Sequence, residues 1–201
     1  MKKSTLVLAG MLAMSTASKA DEGMWTLFNL PDAVYTQMVD YGFSLPCDML
    51  YNNPNAISNY VVNFSGFCSG VVVSPDGLVF TNHHCGFGAI NAHSTVEHDY
   101  MRDGFYAKNF AEELPNENMF VSFMRAQDDI TGRIAPLIEN KSLKEQGEII
   151  DSVENVLNDS IKKIDKTLHI EVAPFYEGNK YYATTYQDFT DVRLVFTVPK
   201  S

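Results

Sequence analysis

The chain has 201 residues, with 15 Lys+Arg against 25 Asp+Glu and a formal charge of −10. A surface of that sign repels phosphate backbones and anionic membranes, which argues against a nucleic-acid binder. A hydrophobic content of 45% suits one globular domain with its own core.

Taken in chain order, the first element is an export signal. Lys2 and Lys3 precede a short apolar run from Leu6 to Met14, and Ser18-Lys19-Ala20 puts small residues where a signal peptidase reads them. Residues 1–20 are therefore expected to be cleaved, leaving a mature chain at 21–201 with a balance of −13 once Lys2, Lys3 and Lys19 are gone. The apolar run is too short to span a bilayer and no later stretch is long enough either, so an exported protein, periplasmic or secreted, with no membrane insertion after cleavage, is expected. Export permits a disulfide. Cys47, Cys68 and Cys85 allow one intramolecular bridge and three ways of drawing it.

Residues 31–41 read as a short helix, with Ala33, Val34, Met38 and Val39 at helical spacing and Gly42 as its stop. The Asn-rich stretch 51–58 reads as loop. Residues 60–64 and 70–73 read as strands, Ser74-Pro75-Asp76-Gly77 as a turn, and 78–81 as a third strand closing a hairpin. Another strand is predicted over 119–125. From Ser142 the period becomes helical, with Ser142 and Glu145 in a capping-box pattern. Ile149, Ile150, Val153, Val156, Leu157, Ile161, Ile164 and Leu168 then share one face. Strands follow at 169–173, 181–186 and 192–198. The last ends at Pro199-Lys200-Ser201 with no closing element, which reads as a chain stopping within a domain.

The chemistry lies in Phe67-Cys68-Ser69-Gly70, the hairpin, and Thr81-Asn82-His83-His84-Cys85-Gly86. Cys68 and Cys85, 17 positions apart, flank the hairpin, which brings their Cα atoms near bridging distance. A bridge there is worth on the order of 3 kcal/mol in the chain-entropy picture. It would also fix the backbone beside His84, as a general base requires if its ring is to meet a hydroxyl at about 3 Å.

A cysteine, a small-residue pair, a hairpin and a Thr-x-x-His-Cys strand end resemble the first barrel of chymotrypsin-like peptidases. A longer set of motifs is similar to the bacterial S46 dipeptidyl peptidases: Met24-Trp25, Thr81 to Ile90, His93 to Tyr100, Asp103-Gly104-Phe105, Glu112-Glu113-Leu114-Pro115 and Gly178 to Tyr182. The resemblance runs over essentially the whole mature chain. It implies a mainly β fold with helices, a trypsin-like double barrel with a helical domain. Residues 21–201 would be the N-terminal part of its catalytic domain: the first barrel, incomplete at the C-terminus, with an inserted helix near 142–168.

The implied activity is serine-type release of dipeptides from the N-terminus of oligopeptides by a Ser-His-Asp triad. The implied base is His84, with His83 structural. The family's aspartate and serine fall beyond Ser201, so the chain alone is expected to be inactive. No cofactor or metal is called for, and the resemblance leaves room for a homodimer of the full-length form. Cys47 is not part of the family pattern and is expected to be a free, partly buried thiol.

Candidate substitutes for the missing groups do not fit this pattern. Ser69 belongs to the cysteine segment and not to a nucleophile loop. Asp128, Asp129, Asp188 and Asp191 read as solvated loop charges. Two rival readings remain: a metal module built from His83, His84, Cys85, His93 and His98, or a non-catalytic secreted barrel protein.

Overall fold

The computed structural model describes residues 25–200. The expected signal segment, residues 1–20, lies outside them. The described residues fall into two compact units, divided in the chain between Gly42 and Phe43. In the first, a 3-10 turn at Leu27–Asn29 precedes helix α1, Asp32–Asp40, which ends before Gly42 as the sequence predicts.

The second unit is a mixed helix and sheet structure. Strands β1 (Val61–Phe64), β2 (Cys68–Val72) and β3 (Val79–Thr81) form a meander. Helices α2 (His83–His93) and α3 (Tyr100–Asp103) come next, then the two-residue strands β4 (Phe105–Tyr106) and β5 (Leu114–Pro115). Strand β6 (Val121–Asp129) leads to helices α4 (Thr131–Ile138) and α5 (Leu143–Ile161). Strands β7 (Leu168–Phe175), β8 (Lys180–Phe189), β9 (Arg193–Leu194) and β10 (Phe196–Thr197) complete the order.

Six strands form one antiparallel sheet in the order β3-β2-β1-β6-β8-β7. Among the described residues β3 and β7 do not pair, so the sheet is open and no closed barrel is present. No helix among them is long and apolar enough to cross a membrane.

Both cores follow from strand alternation and one helical stripe. Val62, Phe64 and Val121 point to a common face and bury Cys85 against it. Further along the sheet, Ile170, Val172 and Ala183 meet Ile150, Leu157 and Ile161 of α5, while Ile134 of α4 fits between Val153 and Tyr181. Polar groups of α5 also cover the edge of β7. Asn158 accepts from the Ile170 N–H and donates to the Ile170 carbonyl, and Glu154 accepts from the Val172 N–H. An end strand with open backbone groups is a pairing hazard, and here a helix removes it.

Helix α5 opens with the expected capping box between Ser142 and Glu145. It ends at Ile161, seven residues short of the expected boundary. Asp165 accepts from the N–H and hydroxyl of Thr167, a local turn that competes with further helix. Ile164 is consequently 83% exposed and Leu168 opens β7. Besides the one-turn α3, two longer helices, α2 and α4, stand where no helix was expected. Each carries residues that disfavour helix, Gly86 and Gly88 in α2 and Gly132 and Pro136 in α4. Tertiary burial of Cys85, Ile90 and Ile134 outweighs that propensity. The expected single strand at 192–198 is two short ones, β9 pairing β5 and β10 pairing β4.

Candidate active site

The β2–β3 hairpin aims the chemistry-bearing segment. In the Ser74-Pro75-Asp76-Gly77 turn, Gly77 adopts φ +82°, a left-handed conformation that suits glycine. The Ser74 hydroxyl accepts from the Leu78 N–H, and the Val73 N–H donates to the Leu78 carbonyl. Gly70 faces Thr81 across the ladder, and a Cβ there would come within 2.8 Å of a Val79 methyl. That missing methylene lets β3 lie close on β2. The Thr81 hydroxyl then donates to the Ser69 carbonyl at 2.8 Å, tying the end of β3 to β2.

Beyond Asn82 the chain turns into α2, whose first three residues are His83, His84 and Cys85. Cys85 is buried and bonded to Cys68, the first residue of β2, with their Cα atoms 6.2 Å apart. The bridge and the burial of Cys85 together pin the first turn of α2 to the sheet. His84 stands on that turn and is exposed, with a ring nitrogen within 4.8 Å of both bridge sulfurs. His83 is also exposed, its ring set edge-on to Phe87 at 6.2 Å. The fold thus presents an exposed His84 on a turn anchored by the bridge and by the buried Cys85. Among the described residues, none donates a hydrogen bond to the His84 ring or accepts one from it.

Ser69 pairs with Asn63 across the β1–β2 ladder and makes no hydrogen bond to His84, so it does not act as its nucleophile in this arrangement. The four aspartates fare differently from one another, and the reading of all four as loop charges needs correction. Asp128 and Asp129 belong to β6. Asp129 accepts from the Lys180 ammonium at 2.8 Å and from the Thr131 N–H at 2.9 Å. Those hydrogen bonds, that to Lys180 foremost, hold its pKa down at about 2. Asp191 lies between strands and is largely solvated, paired with Arg193 at 2.8 Å, whose hydrogen bond lowers its pKa.

Asp188 is on β8, where it accepts from the Ser122 hydroxyl at 2.5 Å and lies 2.9 Å from His169 Nδ1. The imidazole contact is close but is not an aligned hydrogen bond. His169 stacks on Tyr186 and lies 3.5 Å from Glu171. Burial, with a smaller contribution from the Glu171 charge, pushes the Tyr186 pKa up.

Ser122, Asp188 and His169 are the residue types of a triad in the wrong order. The hydroxyl, 1% exposed at its residue, donates to the carboxylate and not to the imidazole, so the histidine is not placed to take its proton. The cluster joins β6, β8 and β7 across the sheet. Sequence reading missed it because Ser122 and Asp188 become neighbours only through the β6–β8 register.

The metal-module set does not assemble. His93 Nε2 is 3.1 Å from the Asn116 side-chain oxygen, and His98 stacks on Tyr100. Among the described residues one group has metal-ligating atoms close together: Cys68, His84 and Cys85, whose two sulfurs are bonded to each other. Cys47 is free as expected but exposed, not partly buried.

The family model described as Peptidase S46 matches residues 20–201. Dipeptidyl-peptidase 7 of Porphyromonas endodontalis is 42% identical over 100% of this chain and 25% of its own length. An Asp/Glu-specific dipeptidyl-peptidase of Porphyromonas gingivalis is 39% identical over 100% of this chain and 29% of its own. Among solved structures, Porphyromonas endodontalis DPP11 in complex with the dipeptide Arg-Glu matches with a TM-score of 0.76 at 33% identity, over 89% of this chain and 27% of that one. The chain therefore spans about a quarter of the length of these relatives.

Proposed function

The chain belongs to the peptidase S46 family, and from that premise we propose that it forms the N-terminal quarter of an exported serine-type dipeptidyl peptidase. On this reading the β1–β3 meander and β6–β8 are part of the first barrel of a trypsin-like pair, and His84 is the general base. The observation that carries the reading is the mounting of His84: second residue of a helix whose next residue is bridged to β2, with its ring exposed beside the bridge.

A nucleophilic serine placed about 3 Å from the imidazole would lose its proton to His84 as it attacks the peptide carbonyl, and His84 would return that proton to the leaving amine. A carboxylate must hold the ring's other nitrogen. The relatives suggest where both come from, since three quarters of their length lies outside the match. The substrates would be oligopeptides with a free N-terminus. The basic start and apolar run of residues 2–14 and the Cys68–Cys85 bridge support export.

The test is a panel of chromogenic dipeptidyl substrates with apolar and acidic second residues. In the full-length enzyme, His84→Ala is expected to lower turnover by several orders of magnitude, as loss of a triad member does. His83→Ala is expected to cost far less, and equal losses at both positions would reject the assignment. The 201-residue chain by itself is expected to release no dipeptide, because a base with no hydroxyl to activate gives little. Release by that chain that vanishes in His84→Ala would mean that a hydroxyl within it completes the site.

A further inference from the structure

We propose that opening the Cys68–Cys85 disulfide converts this corner into a two-cysteine, one-histidine site for a thiophilic cation, zinc being the reference ion, with His84 as the third ligand. The ligand atoms of Cys68, His84 and Cys85 already lie within 4.8 Å of one another. Tetrahedral zinc with Zn–S bonds near 2.3 Å asks for sulfurs about 3.8 Å apart. A Cα separation of 6.2 Å leaves room for that spread by side-chain rotation alone.

The backbone under the two cysteines has supports besides the bridge. Cys68 pairs with Phe64 in the β1–β2 ladder. Cys85 donates its N–H to the Asn82 carbonyl and is packed among Val62, Phe64 and Val121. The ligands therefore stay together when the covalent link is cut. Exposure of His84 and half-burial of Cys68 give a reductant and then an ion a way in, and leave the fourth position to water.

The chemistry balances. A phosphine attacks one sulfur and is oxidised to its oxide, with the oxygen and two protons coming from water, and the disulfide is reduced to two thiols. Zinc then displaces both thiol protons, and neutral His84 supplies a ring lone pair. On the reading of His84 as general base, that lone pair can no longer accept a serine proton, so bound zinc switches dipeptide release off. Only this last consequence rests on the proposed function.

The experiment uses the full-length protein carrying Cys47→Ser, so that the exposed thiol does not bind metal. It is reduced on an immobilised phosphine without oxygen and titrated with Co2+ and then Zn2+. Reduced protein is expected to bind one cobalt per chain with thiolate-to-cobalt charge-transfer absorption, which zinc abolishes, while oxidised protein shows none. Cys68→Ser should remove most of that absorption. His84→Ala should weaken binding by more than the roughly 10–100-fold that loss of a ligand's hydrogen-bond partner costs, and His83→Ala should leave it unchanged.

Equal binding in both redox states, no binding by a reduced and folded chain, or indifference to His84→Ala would overturn the proposal. So would a reduced chain that has lost its circular dichroism and does not regain it with zinc. Dipeptide release that persists with zinc bound would reject His84 as base while leaving the metal site standing.

Discussion

Asp129 shows how a single carboxylate joins two elements. Its two oxygens take the Lys180 ammonium of β8 and the first N–H of α4, so it ties the end of β6 to both. Because the folded pKa, about 2, lies below the ordinary value near 3.9, its contribution is complete above the ordinary value and is lost as pH falls through about 2. Asp129→Asn is expected to flatten the stability profile between about pH 4 and pH 2. Its effect at neutral pH should stay below about 1 kcal/mol, since both partners are more than a third exposed and water screens them. Denaturant melts of both proteins across that range decide it, and parallel profiles would reject the role. The cysteines belong to the same scale. Non-reduced peptide mapping should find Cys68 joined to Cys85 and Cys47 alkylated, and a bridge to Cys47 would reject the arrangement of the corner. This pairing was proposed from the hairpin between the cysteines, marked by Pro75, Asp76 and Gly77, together with the resemblance to a first peptidase barrel, since the residues alone leave three pairings open. The exposure of Cys47 was not, because a short 3-10 turn at Cys47–Met49 has no periodicity to read.

Among the elements, α5 does two jobs that its sequence reveals unequally. Its apolar stripe is plain in the spacing of Ile150, Val153, Leu157 and Ile161, and its start in Ser142 and Glu145. Nothing in that pattern marks Asn158 and Glu154 as partners of a strand edge, since polar residues beside a stripe ordinarily face water. Removing Asn158 leaves both backbone groups of Ile170 without their partner at a half-buried edge, so Asn158→Ala is expected to cost about 1–3 kcal/mol. The shift should appear in the urea midpoint at an unchanged slope. Asn158→Asp keeps the acceptor for the Ile170 N–H and loses the donor to its carbonyl, so it should fall between. A neutral Asn158→Ala would mean that water replaces both bonds and that the edge is open. The longer helices missed by sequence reading, α2 and α4, fail in the opposite sense. Their propensity is poor and long-range contacts hold them: Cys85 through its bridge, Ile134 through Val153 and Tyr181. His84 could still be proposed as the base from its motif, although the helix that carries it could not be read.

At the scale of the molecule, the chain closes on itself through its last described residues. Strands β9 and β10 return to β5 and β4, and three further backbone bonds reinforce them: Ala107 N–H to the Val195 carbonyl, Asn116 N–H to the Val192 carbonyl, and Lys200 N–H to the Arg102 carbonyl. The apolar alternation of 192–198 announced a strand but could not name its partners, and Val195 between two short ladders divides it. Because these backbone contacts fall on the segment 102–116, and Val192 alone of the returning residues is seen to pack on the sheet core around Cys85, a chain ending at Asp191 should loosen locally and not unfold. In hydrogen exchange, amides of residues 102–116 are expected to lose protection, while those of β6, β7 and β8 keep it. The effect should reach the end of α2 as well, because Asn116 contacts the ring of His93 there. The first turn of α2 loses the Val192 contact on its core cluster but keeps the packing of Cys85 on Val62, Phe64 and Val121 and the bridge to Cys68, so protection near His84 should survive. Uniform loss of protection would show that the returning strands hold the whole fold. Loss that spreads to the first turn of α2 would show that His84 depends on them, and that the bridge alone does not position it.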